Sequence, residues 1–132
     1  MLILRRELFE GILRHGLKEL PNEACGILAG KDEEVAKIYE MINIDRSPES
    51  FFMDSKEQLK VMKDIRNSGL EMVGIYHSHV ASEAYPSNED VKLAFYPEVS
   101  YAIITIKDKK HPYLRSFKIR EGQIEEEKVK IE

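Results

Sequence analysis

At 132 residues, with 42% hydrophobic and 33% charged residues, the chain has the size and composition of one soluble globular domain, residues 1–132. A net charge of −4 argues against a nucleic-acid partner, and the N-terminal MLILRREL has no apolar run long enough for a signal peptide or a membrane span. The single cysteine, Cys25, excludes an intrachain disulfide and suits a reducing compartment, so the expected location is cytoplasmic.

Leu4, Leu8, Ile12, Leu13, Leu17 and Leu20 recur at spacings of three and four, which predicts a helix over 3–20 ended by Pro21. His15 is expected on its surface. CGILAG (25–30) reads as a buried strand, KDEE as a hairpin turn and EVAKIYEMINI (34–44) as a second strand. A loop leads to a helix over 55–70, with Ser55 as N-cap, Gln58 completing a capping box and Gly69 closing it. EMVGIYHSH (71–79) is a third strand. After VASEAYP, Ser87 opens a helix that runs to Pro97. YAIITI and YLRSFKI are strands, and QIEEEKVKIE gives a last edge strand. KDKKH (107–111) reads as a solvated turn, and the acidic run 125–127 as a solvated edge. This order predicts an α/β fold, a mixed central β-sheet flanked by helices.

Side chains on a strand alternate between faces, so His77 and His79 project on the same side, about 6–7 Å apart along the strand. They lie at its C-terminal end, where open α/β sheets bind ligands. Ser87 and Asp90, three residues apart, share the first turn of the following helix. Two histidines and one aspartate leave the fourth tetrahedral position open, the layout of a catalytic rather than a structural zinc site. The competing explanation is local: Ser87 and Asp90 also make an ordinary helix N-terminus, with an acid complementing the helix dipole.

The stretch HSHVASEAYPSNED fits His-x-His, seven residues, Ser-x-x-Asp, and so resembles the JAMM motif of the MPN+ metalloproteases. PNEACGILAG supplies Glu23 after the first helix and before a buried strand, where that family places a glutamate. The order of elements fits over nearly the whole chain. Val80 departs from the proline that many members carry after the second histidine, which bears on loop shape. The resemblance implies a cytidine-deaminase-like α/β fold, with one Zn2+ bound by His77, His79 and Asp90. It implies that Glu23 serves as general base and proton carrier for a zinc-bound water, and Ser87 as oxyanion donor. The implied reaction is hydrolysis of the peptide or isopeptide bond after the C-terminal Gly-Gly of a ubiquitin-like or sulfur-carrier β-grasp protein. The short chain has no room for long substrate-gripping insertions and matches the compact prokaryotic type. A substrate groove is expected around 43–54 and beside VASEAYP.

Three rivals compete with this reading. A non-catalytic MPN-type scaffold usually lacks a ligand, and here all five motif positions are present. A nucleobase deaminase wants a Cys-x-x-Cys pair and a His-x-Glu, neither of which occurs. A cysteine peptidase would need Cys25, which sits in an apolar strand and reads as a small buried hydrophobe. No stretch announces a subunit interface, and a homodimer is left open.

Overall fold

The computed structural model describes residues 1–132. The elements in chain order are β1 (Leu2–Leu4), α1 (Arg6–Lys18), β2 (Cys25–Lys31), β3 (Glu34–Met41), α2 (Ser55–Asn67), β4 (Glu71–His79), α3 (Asn88–Lys92), β5 (Ser100–Thr105), β6 (Tyr113–Arg120), β7 (Gln123–Glu127) and β8 (Val129–Ile131). The strands form one eight-stranded sheet in the order β7-β6-β5-β4-β2-β3-β1-β8. β4 and β5 pair in parallel, as do β1 with β3 and β1 with β8, and the remaining pairs are antiparallel. The expected mixed α/β sheet is therefore present. No helix is long and apolar enough to cross a membrane.

Each of the two long helices covers one face, because each supplies one apolar stripe. Leu8, Phe9, Ile12 and Leu13 of α1 pack with Leu28, Val35, Tyr76 and Ile104. Val61, Met62 and Ile65 of α2 pack with Ile27, Ile75, Tyr101 and Ile103 on the opposite face. β5 is buried along its whole length, the behaviour of a central strand covered on both faces.

The register of β2 on β4 shifts by one residue: Leu28 faces Gly74 but Ala29 faces Met72, which leaves Val73 as the extra residue of a bulge. Val73 and Tyr76 pack on the α1 side, Met72 and Ile75 on the α2 side. The bulge resets the alternation, so His77 continues the face of Ile75. Tyr76, on the other face, lies over Gly26, its cross-strand partner. A Cβ there would come within 2.1 Å of the ring.

Several elements differ from expectation. The predicted first helix starts later, because Leu2–Leu4 pairs with β3 and β8 instead. The cap of α2 is Asp54, whose side chain accepts from the Glu57 amide, so Ser55 is already helical. Gly69 does close the helix, at φ +72°. α3 stops at Lys92, well short of Pro97. The tail forms two short strands: β7 pairs with β6 and β8 with β1, so one continuous stretch serves both ends of the strand order. The acidic run is not free edge, since Glu126 pairs with Arg115 and Glu127 with Ser116 and the N-terminus. His15 is buried, and its Nδ1 bonds the Tyr76 hydroxyl at 2.7 Å, which ties α1 to β4. KDKKH is exposed, as expected.

Gly26→Ala drives a methyl group into the Tyr76 ring and the Tyr39 carbonyl. The expected cost is about 2–3 kcal/mol, read as a lower urea midpoint at unchanged slope. An unaltered midpoint would mean that the Tyr76 ring is free to move aside.

Candidate metal centre

β4 delivers both histidines, and they are almost inaccessible, at 2% and 4% exposed. α3 delivers the carboxylate. Ser87 caps α3 by accepting from the Asp90 amide, while Asp90 Oδ2 accepts from the Ser87 amide, a reciprocal capping box. This fixes Asp90 over the end of β4. His77 Nε2 and His79 Nε2 are 3.0 Å apart, and each is 3.1 Å from Asp90 Oδ2. The structure thus brings the three predicted ligand side chains to one point.

The hydrogen bonding decides what they present there. His79 Nδ1 lies 2.7 Å from the Glu83 carbonyl oxygen, which can only accept. Nδ1 therefore carries the proton, and in the neutral ring the Nε2 lone pair faces the other two atoms. A carboxylate oxygen and at least one imidazole lone pair then converge in a buried space, an arrangement that a cation satisfies. Ligands roughly 2.0–2.1 Å from a tetrahedral zinc stand roughly 3.3 Å from one another. The observed 3.0–3.1 Å triangle fits such an ion with little adjustment. His77 Nδ1 is buried without a partner, beneath the ring of Phe51, which stacks at 4.6 Å and 28°.

Burial lowers the His77 pKa, with Asp90 opposing. Burial also acts downward on His79, but Asp90, the Glu83 carbonyl and Glu23 outweigh it and the net shift is upward. Burial works against the charge on Asp90, yet the two histidines and the Ser87 amide hold its carboxyl well below the usual range.

Glu23 precedes β2, whose Cys25 pairs with His77, so it continues that register toward His79. It is 3% exposed and its Oε1 has no partner. Burial, with repulsion from Asp90 and Glu49 against attraction to His79, pushes its pKa up to about 8. Ser78, between the two histidines, points to the other face, where its Oγ accepts from the Ala24 amide at 2.8 Å. The strand carrying the histidines is thereby bonded to the segment carrying Glu23. Ser87 Oγ is used as an acceptor, which leaves its hydroxyl proton free. Cys25 is fully buried and burial raises its thiol to about 12, which removes it as a nucleophile at neutral pH. The Glu83 carboxylate faces Lys107.

Two contributors went unpredicted, Phe51 and the Glu83 carbonyl. Neither a stacked phenyl ring nor a main-chain oxygen carries a motif, and both act through the fold. Beside the centre runs an apolar trough that includes Phe51, Phe52, Leu93, Phe95 and Tyr96, with His77 and Asp90 in its wall. Phe52 and Phe95 are 47% and 68% exposed, an unusual extent of aromatic surface next to buried polar groups. The trough takes Phe51, Phe52 and Met53 from the expected loop 43–54 and Pro86 from the end of VASEAYP, and residues after α3 complete it.

Residues 5–120 match the family described as prokaryotic homologs of the JAB domain. A CysO-cysteine peptidase of Mycobacterium tuberculosis is 39% identical over 133 residues, covering 99% of this chain and 91% of that protein. A desampylase of Pyrococcus furiosus is 34% identical over 110 residues, 83% of this chain and 76% of that protein. The solution structure of protein DSY2949 from Desulfitobacterium hafniense superposes with a TM-score of 0.92 at 41% identity, covering 100% of this chain and 93% of that one.

The raised Glu23 pKa has a sign that can be checked in protein stripped of metal by a chelator. Between about pH 5 and pH 8 the unfolded chain releases this proton while the folded chain keeps it, so Glu23 withdraws stability as pH rises. Glu23→Gln carries no such proton. Its stability relative to the parent should climb by roughly 1 kcal/mol per pH unit across that window, read from urea curves. A difference that stays flat with pH would contradict the buried, protonated carboxyl.

Proposed function

The chain belongs to the prokaryotic JAB-domain (JAMM/MPN) family, and from that premise we propose that residues 1–132 form one zinc metallopeptidase domain. Its reaction is hydrolysis of the amide that follows the C-terminal Gly-Gly of a ubiquitin-like or sulfur-carrier protein. The observation that carries this reading is the 3.0–3.1 Å triangle of His77, His79 and Asp90, with the His79 tautomer held by Glu83 and an unpartnered carboxylate oxygen on nearby Glu23.

His77 and His79, through Nε2, and Asp90, through Oδ2, would hold the ion. Zinc bound there supplies Lewis-acid polarisation of the scissile carbonyl, a lower pKa for water, and a positive charge that favours ionised Glu23. The rest falls to side chains. The Glu23 carboxylate takes a proton from the attacking water as its oxygen bonds to the carbonyl carbon. It then gives that proton to the departing nitrogen as the C–N bond breaks. The Ser87 hydroxyl, its oxygen committed to the Asp90 amide, donates its hydrogen to the developing oxyanion, a contact typically worth about 3–4 kcal/mol.

The apolar trough suits the carrier's tail. A substrate whose terminal carbonyl lies at the centre places the residues before Gly-Gly against Phe52 and Phe95. The names of the relatives support a carrier-type substrate, one for CysO-cysteine and the other for desampylation.

The test is mass-spectrometric cleavage of a β-grasp carrier ending in Gly-Gly with a C-terminal extension. The expected result is release of the extension, abolished by chelation and restored by zinc. Glu23→Gln should keep the metal and lose at least about 100-fold in rate. Phe52→Asp should raise KM about tenfold while kcat changes little. A zinc-loaded protein that leaves such carriers intact would contradict the substrate assignment, and a protein that takes up no zinc would leave the scaffold reading in its place.

A further inference from the structure

Asn43 lies outside the His-x-His and Ser-x-x-Asp pattern, two residues beyond β3, and is 6% exposed. Both ends of its side-chain amide are in use. Nδ2 donates to the Glu23 carbonyl at 3.0 Å and to the Ser50 carbonyl at 3.0 Å. Oδ1 accepts from the Asp45 amide at 3.0 Å and the Phe52 amide at 3.1 Å. Four bonds exhaust what this side chain can make. The surrounding main chain follows the same plan. Asn43 bridges Met53, the Ile44 amide donates to the Phe52 carbonyl at 2.9 Å, and the Glu23 amide donates to the Ser47 carbonyl at 2.9 Å.

The loop from 43 to 50 therefore grips Glu23 at both its C=O and its N–H. This matters because the Glu23 side chain has an oxygen with no partner. A carboxylate without a full set of side-chain bonds is placed by its own backbone, and that backbone is held by Asn43. The same amide, through Ser50 and Phe52, brackets Phe51, the ring stacked on His77. We propose that Asn43 is a positioning residue for the reaction, one that sets the Glu23 carboxylate against the metal centre. The proposal rests on the reading of Glu23 as the proton carrier.

Asn43→Asp makes the sharpest test. It keeps the acceptor that holds the Asp45 and Phe52 amides and replaces the donor, so an oxygen meets the carbonyls of Glu23 and Ser50. A displacement of about 1 Å at a reacting group costs on the order of 100-fold. In steady-state cleavage of the carrier, kcat should fall by about 30- to 100-fold with KM within a factor of about three. Zinc affinity should be unchanged, since none of the three ligands is touched. In the Glu23→Gln background the same substitution should cost less than about threefold, because the two residues act as a unit.

A second readout needs no activity. Amide hydrogen exchange in the zinc-loaded protein should show the Glu23 amide losing at least about tenfold in protection while Ile75 and Ile103 keep theirs. Uniform loss across the sheet would overturn the proposal. So would a kcat penalty as large in the Glu23→Gln background as in the parent, or a parent-like kcat in Asn43→Asp itself. If the parent protein itself cleaves nothing, the proposed function fails, and the exchange pattern still decides whether Asn43 holds Glu23.

Discussion

One hydrogen bond, from His79 Nδ1 to the Glu83 carbonyl, decides what the centre of the site can be. In the neutral ring it leaves the Nε2 lone pair facing inward, where the ionised Asp90 oxygen already lies. The other side chains are secured from elsewhere: Asp90 by the capping box with Ser87, His77 by the stack with Phe51. A cation at that point would meet a preorganised set of donors.

The sheet supplies the rigidity that such a set needs. β4 lies between β5 and β2, and the bulge at Val73 puts His77 on the α2 side. On the other face, Tyr76 reaches over Gly26 to His15, and Ser78 holds Ala24. Four successive residues of one strand thus alternate between centre and scaffold. The histidines face the Asp90 carboxylate, and the residues beside them fasten the strand to α1 and to the Glu23 segment. Glu23 arrives from the other side, carried by a segment that β4 and the loop after β3 both bond.

The parts legible in the sequence are those governed by local periodicity. The alternation of His77 and His79 and the three-residue step from Ser87 to Asp90 follow from strand and helix geometry alone, and β4 appears at its expected bounds. Apart from the one-residue shift of the α2 cap from Ser55 to Asp54, the errors fall where distant partners decide. Leu4 fits a helical stripe, but pairing with β3 and β8 makes Leu2–Leu4 a strand. His15 sits among arginine and glycine in sequence, yet it is buried because Tyr76, 61 residues away, offers its hydroxyl. α3 ends early although its apolar pattern continues, and Leu93, Phe95 and Tyr96 go on to border the trough instead. Asn43 falls at the end of the expected strand 34–44 and belongs to no motif; of its four partners only Asp45 is close in sequence, and Glu23, Ser50 and Phe52 become neighbours only once the chain has folded.

X-ray absorption at the zinc edge, on protein reconstituted with one equivalent of the metal, bears most directly on the metal centre. Tight binding of one zinc per chain is expected, with nitrogen and oxygen scatterers only, at about 2.0–2.1 Å, and an imidazole signature that fits two rings. In Asp90→Ala the affinity should fall sharply and the first shell should change. A sulfur scatterer at about 2.3 Å, which would bring in Cys25, or a spectrum that is the same with and without the Asp90 carboxylate, would contradict a centre built from His77, His79 and Asp90.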